Sequence, residues 1–165
     1  MRAGPPIDLN LAKLLKACEF ARRDLRDFLR IGWPTLNPRT PLIWSWHLDA
    51  ICEHLQAISD GHLRNVLFNV PPGYSKSTCV GQAWPAWEWL RYPHHRWGFA
   101  AYGMSLSIRD SLKRKLIIES DWYQAGFRPS WTLAADQRVK SNFKNSLQGE
   151  MVATSVGGPA TGFHY

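Results

Sequence analysis

The sequence predicts an α/β fold, a parallel sheet covered by helices on both faces and preceded by an N-terminal helical segment. Three observations carry this. Two short apolar runs, Arg64-Asn-Val-Leu-Phe-Asn-Val70 and Arg96-Trp-Gly-Phe-Ala-Ala-Tyr102, have the length and side chains of buried strands. Each is followed by a segment of helical rhythm, the crossover that parallel strands need. Between the first run and its helix stands a tight loop rich in proline and serine, with one glycine.

Taken in order, residues 8–30 repeat apolar side chains at steps of three and four: Leu11, Leu14, Cys18, Ala21, Leu25 and Phe28. One helix is expected there. Its opposite face carries Lys13, Lys16, Arg22, Arg23 and Arg26, either a solvated surface or a contact with nucleic acid or a neighbouring subunit. Residues 32–41, with Pro34, Pro38 and Pro41, read as a loop. A second helix is predicted over 45–59, with Leu48, Ile51, Cys52, Leu55 and Ile58 inward and Asp60-Gly61 as its stop. After the first strand and its loop, residues 77–90 read as a helix in which Pro85 forces a kink. After the second strand, residues 105–120 read as a helix with Leu106, Leu112, Leu116 and Ile117 inward. Residues 139–146 and 150–156 read as two strands joined by a turn at Gln148-Gly149, and residues 157–165 as a glycine-rich loop. The expected organisation is a helical segment over 1–60 leading into a core over 61–165.

The chain has 165 residues, 45% hydrophobic and 20% charged, enough for one domain with a real core. Its formal net charge of +7 favours an anionic partner, nucleic acid, nucleotide or a membrane surface, and a merely solubilising surface accounts for it equally well. Nine tryptophans are expected chiefly in packing. Three separated cysteines, Cys18, Cys52 and Cys79, speak against a disulfide framework or a zinc site. No apolar run reaches the ~20 residues of a membrane span. Met1-Arg-Ala-Gly-Pro-Pro6 lacks the apolar stretch of a signal peptide.

The loop, Asn69-Val-Pro-Pro-Gly-Tyr-Ser-Lys-Ser-Thr78, carries the chemistry. A phosphate chain needs positive charge, inward amides and close backbone, and a tight strand-to-helix loop supplies all three. Lys76 stands where a lysine reaches the β- and γ-phosphates, and Ser77 where a hydroxyl holds Mg²⁺. Pro72, Gly73, Tyr74, Ser75 and Thr78 complete the cradle. The match to G-x-x-x-x-G-K-[ST] is incomplete: Ser75 stands for the second glycine and Val70 for the first. A proline-rich turn with an exposed lysine and a helix cap is the alternative.

Several further stretches, in order, resemble the N-terminal part of a tailed-phage terminase large subunit. They are Trp46-His-Leu-Asp-Ala-Ile-Cys-Glu-His-Leu55, the loop itself as a deviant Walker A, Ala101-Tyr-Gly-Met-Ser-Leu-Ser-Ile-Arg-Asp110, Ile118-Glu-Ser-Asp-Trp-Tyr-Gln124 and Thr154-Ser-Val-Gly-Gly-Pro-Ala-Thr-Gly162. The resemblance implies a P-loop NTPase core, a three-layer αβα sandwich, incomplete here. It implies ATP and Mg²⁺ as ligands, and a parent that drives double-stranded DNA into a procapsid and cuts it with a separate nuclease. Portal protein and small terminase subunit would be the parent's partners, and the host bacterium's cytoplasm its place, with no membrane. By the same resemblance Trp46 and His47 fall beside the adenine, although a core tryptophan and a capping histidine fit them equally. Some family members carry an arginine at the position of Gly73; Arg109 or Arg114 are the candidates to replace it. Lys113-Arg114-Lys115 reads as a solvated helix face or a DNA-facing patch, and His94-His95 as loop surface. The family's Walker B strand and its carboxylates would follow Tyr165, so the expectation is nucleotide binding without efficient hydrolysis. The competing expectation is a basic DNA-binding or assembly module whose loop is unused.

Overall fold

The structure is a computed structural model describing residues 9–134 and 140–156. The stripe expected as one helix over 8–30 forms two, α1 (Leu9–Arg23) and α2 (Leu25–Leu36). Asp24 makes the break. It is extended, and its carboxylate accepts the Arg26 amide at 2.8 Å, capping α2. Helix α2 runs on through Gly32 and Pro34, where a loop was expected. Gly32 is a packing glycine rather than a breaker, since a Cβ there would lie 3.3 Å from the Trp122 ring.

Helix α3 (Trp46–Ser59) has the predicted bounds to within a residue, and Leu48, Ile51, Cys52 and Leu55 are buried as expected. It ends at Gly61, whose φ of +77° lets the His62 amide turn back to the Ala57 carbonyl at 2.8 Å. Residues 64–70 then form no strand of the described sheet, which corrects the first predicted strand. Strand status needs a pairing partner, and β1 gives its partnered edge to another strand. Leu67 is accordingly 93% exposed.

After the loop, the helix begins with a π-helical stretch, Thr78–Ala83, and continues as α4 (Trp84–Arg91). Proline explains the change. The Trp84 amide reaches back five residues to the Cys79 carbonyl, and Pro85 has no amide to offer Gly81. Strand β1 (Arg96–Ala101) and helix α5 (Met104–Glu119) follow, then α6 (Asp121–Phe127).

Of the four residues predicted inward on α5 only Ile117 is buried. Leu106, Leu112 and Leu116 are exposed, while Ser107, Ser111, Arg114, Ile117 and Ile118 are buried. Small serines allow close approach: Ser107 Oγ donates to the Thr154 carbonyl. The predicted hairpin forms as β2 (Asn142–Lys144) and β3 (Glu150–Ser155). Gln148 takes the turn at φ +67°, and Asn145 Oδ1 accepts the Leu147 and Gly149 amides at 2.9 Å.

The sheet is mixed, with order β1-β3-β2. β1 and β3 pair in parallel from Arg96 opposite Glu150 to Ala101 opposite Ser155; β2 runs antiparallel to β3. The fold is therefore α/β as predicted, but the described sheet is not purely parallel. One cluster of buried residues extends from Cys18 on α1 to Met151 on β3. All three cysteines are buried free thiols. The predicted glycine-rich loop over 157–165, and Val139 at the start of the predicted strand, lie outside the described residues. No described helix is long and apolar enough to cross a membrane.

Candidate functional site

The predicted loop residues come together. Pro72, Gly73, Tyr74, Ser75, Lys76, Ser77 and Thr78 all line one cavity of about 570 Å³. That volume falls within the ~300–1,000 Å³ typical of small-molecule sites. Two residues of the loop have left-handed backbone, Gly73 at φ +88° and Ser75 at φ +59°. Glycine explains the first. The second is a serine standing where the motif has glycine, and it takes a left-handed conformation that glycine adopts without strain. Ser75 thus keeps, without glycine, a backbone angle that glycine would allow.

Beyond Ser75 the chain turns helical, and the Cys79 amide bonds the Ser75 carbonyl at 3.0 Å. The amides ahead of Cys79 stand outside that ladder, at the positive end of the helix. Lys76 folds back over the loop, its Nζ 3.3 Å from the Val70 carbonyl. An ammonium has three donors, so this bond leaves two. The Ser77 side chain caps no amide. Among the described residues no group of three or more His, Cys, Asp or Glu is placed to hold a metal ion. A cation here would be held by the Ser77 hydroxyl and by the phosphates it accompanies.

His47 reaches the loop from the side. Its ring meets Tyr74 edge-on at 5.4 Å, and its Nδ1 pairs with Ser45 Oγ. It lines an adjoining cavity of about 370 Å³ that it shares with Gly73, Tyr74 and Ser75. Trp46 is 80% exposed and lines neither cavity, so neither the core role nor the base-facing role expected of it is seen.

Other parts of the wall were not expected. Trp33, Asn37 and Thr40 close one side of the cavity, and the Trp33 indole fixes that side by donating to the Thr40 carbonyl at 2.7 Å. These residues lie around a proline-rich stretch that gives no signal of a binding wall in sequence. Gln82, Arg109 and Lys113 close another side. Gln82, four residues past Thr78 and roughly one turn on, was not singled out in the sequence, although that spacing from the loop could have found it.

The two candidate arginines part company. Arg109 lines the cavity and donates to Asp110 at 3.1 Å. Arg114 is fully buried, which corrects its reading as part of a solvated or DNA-facing run. Its Nη1 donates to the Gly81 carbonyl, the acceptor that Pro85 leaves free, and its guanidinium lies 3.6 Å from the Phe99 ring centroid. Burial pulls its pKa down to about 9, against the opposing charge of Asp110. Its Nε and Nη2 have no hydrogen-bond partner.

Arg114 lines a second cleft, of about 420 Å³, between Phe68 of the 64–70 segment and residues 98–101 of β1. Lys76 and Ser77 border this cleft as well. His95 Nδ1 donates to the Glu88 carboxylate at 3.2 Å and its ring stacks on Tyr92, a local packing role. No protein-family model, curated protein or solved structure matches the chain.

Proposed function

We propose that the chain binds the phosphate tail of a nucleoside triphosphate, ATP with Mg²⁺, in the Lys76–Ser77 loop, as the N-terminal part of a terminase-like DNA-packaging ATPase. One observation carries the binding reading: the left-handed Ser75, the folded-back Lys76 and the unengaged Ser77 lie in sequence on the wall of one cavity. Such a loop offers amides, an ammonium and a hydroxyl to one anion. When bound, Mg²⁺ neutralises phosphate charge, and Ser77 is the residue that would hold it.

The 64–70 segment and β1 support the larger reading. They flank a cleft, and the edge of β1 facing it pairs with no described strand. The resemblance implies one more apolar strand, and a free edge of this kind accepts one. DNA translocation, DNA cutting and the portal and small-subunit partners belong to the proposed parent and rest on the resemblance.

The test is titration with a fluorescent ATP analogue in the presence of Mg²⁺. Lys76→Ala is expected to weaken binding by about tenfold or more, the loss of one charge-assisted contact. Equal affinity in the two proteins would remove the phosphate role. A second reading is favoured by Lys13, Lys16 and Arg23, all exposed on α1: a basic surface for DNA. DNA binding that falls with salt, ignores ATP and survives Lys76→Ala would support that reading instead.

A further inference from the structure

We propose that α5 reads the terminal phosphate: Lys113 and Arg109 form a cationic wall that makes the cavity prefer a nucleoside triphosphate to a diphosphate. This rests on the nucleotide reading above and adds a second element to it, distant from the loop in sequence.

The argument starts from spacing. Arg109 and Lys113 are four residues apart on α5, so they share one face. That face is turned to the loop, for both line the cavity with Lys76 and Ser77. The two cations are in different states. Arg109 is paired with Asp110, its neighbour, at 3.1 Å. Lys113 is half-buried and has no ion-pair partner among the described residues. Its ammonium is therefore available to an anion delivered to the cavity.

Gln82 supplies an independent sign of a ligand. It is 2% exposed and lines the same cavity. Its Nε2 donates to Asp110 Oδ1 at 2.8 Å, while its Oε1 has no partner. A buried acceptor without a donor is costly and rare. An acceptor does not suit a phosphate oxygen. It suits a donor that accompanies the phosphate, a water on the cation or in the site. The same amide ties α5 to the helix after the loop, so the two charged walls are held across the cavity by Gln82 and Asp110.

The loop and α5 then divide the phosphate chain. Lys76 sits at the loop and reaches the β-phosphate that di- and triphosphate share, as well as the γ-phosphate of the triphosphate. Lys113 and Arg109 face it from the other wall and meet the additional charge of the triphosphate. Removing the wall is expected to cost affinity for the triphosphate alone.

The experiment measures displacement of a fluorescent ATP analogue by ATP, ADP, tripolyphosphate and pyrophosphate, on the full chain. The wild type is expected to bind ATP about tenfold or more tighter than ADP, and tripolyphosphate tighter than pyrophosphate. Lys113→Gln is expected to lower ATP affinity about tenfold and leave ADP within about twofold. Lys113→Arg, which keeps the charge, retains the preference. Adding Arg109→Gln to Lys113→Gln erases it. Circular dichroism verifies that each variant is folded, and Lys113→Arg stands as the folded control. Equal losses for ATP and ADP in Lys113→Gln, no loss for either, or a wild type without preference would each overturn the proposal. Lys76→Ala separates the two readings: loss of ATP and ADP together keeps the loop's role whatever Lys113 does. A wild type that binds none of the four ligands sinks both readings.

Discussion

The aromatic side of the molecule and the loop side treat their polar atoms in opposite ways. On the aromatic side, α1, α2, α4 and α6 pack Phe28, Trp87, Trp89, Trp122, Tyr123 and Phe127, with rings meeting edge to face. The indoles there have partners: Trp87 donates to the Ala21 carbonyl, Trp89 to His95, Trp122 to Thr35 and Trp131 to Trp89. The buried Tyr123 hydroxyl donates to the Ala86 carbonyl at 2.9 Å. On the loop side, Asn37 Nδ2, Gln82 Oε1 and two nitrogens of Arg114 are buried without partners, while Trp97 Nε1, Ser111 Oγ and Asn142 Oδ1 are buried without partners away from the cavities. Folding leaves few buried polar atoms unpaired. One half of the molecule has closed its hydrogen bonds within the chain. The other half leaves unpartnered polar atoms of Asn37, Gln82 and Arg114 on the walls of two cavities, where the proposed nucleotide and the proposed further strand would sit.

The comparison breaks most readily at its closed side. Trp87→Ala removes a fully buried indole and its bond to α1. The expected cost is about 3–5 kcal/mol, read as a lower midpoint in urea unfolding. A loss under about 1 kcal/mol would show that the aromatic side is not the stabilising half.

Two glycines sharpen the contrast. A Cβ at Gly126 would stand 2.4 Å from Cys18 Sγ, whereas one at Gly81 finds nothing nearer than Asp110 Oδ2 at 3.9 Å. Gly126→Ala is expected to cost about 1–3 kcal/mol through overpacking, and Gly81→Ala within about 0.5 kcal/mol of zero. Equal unfolding midpoints for the two variants would deny the difference in packing.

Asp24 tests the joint between α1 and α2. Asp24→Ala removes the cap and is expected to cost about 1 kcal/mol at neutral pH. The pH dependence follows from the carboxyl. Burial raises its pKa, but the Arg26 hydrogen bonds and charge outweigh this and hold it below the ordinary carboxylate value. A depressed carboxyl stabilises the fold above its unfolded pKa, and that stability fades as pH falls through the folded value. The wild-type advantage over Asp24→Ala is therefore expected to be full at pH 7 and to shrink below about pH 4. A gap that stays constant down to pH 2 would remove the charge contribution.

The smallest effect lies in the loop. Ser75→Gly relieves a left-handed serine, offset by the freer unfolded chain, for a net gain of about 0.5–1 kcal/mol. A loss on substitution would mean that the serine side chain earns its place by a contact.

Elements whose signal is local were legible in sequence. The α3 stripe with its Asp60-Gly61 stop, strand β1, the turn at Gln148 and the helix start after the 71–76 loop all follow from neighbours within a few residues. Residues 64–70 were not, because a segment becomes a strand only through a partner elsewhere. The inner face of α5 was misread because apolar residues do mark a core on average, yet here Ser107, Ser111 and Arg114 face inward and three leucines face out. Asp24, two residues ahead of Arg26, held a capping signal that the continuous apolar stripe concealed. At the site the loop was readable and most of its walls were not: Trp33, Asn37 and Lys113 arrive there by tertiary packing, from segments that carry no phosphate-binding pattern of their own.

Pro85 has one further consequence. By withholding its amide from Gly81 it opens an acceptor that Arg114 occupies, while one residue on Gln82 grips Asp110. The helix leaving the loop is thereby bolted to α5 at two adjacent points. Through Ser107, α5 is fastened in turn to the backbone of β3. The helix after the loop, α5 and the sheet are thus joined by one continuous run of hydrogen bonds, from Gly81 and Gln82 to Thr154.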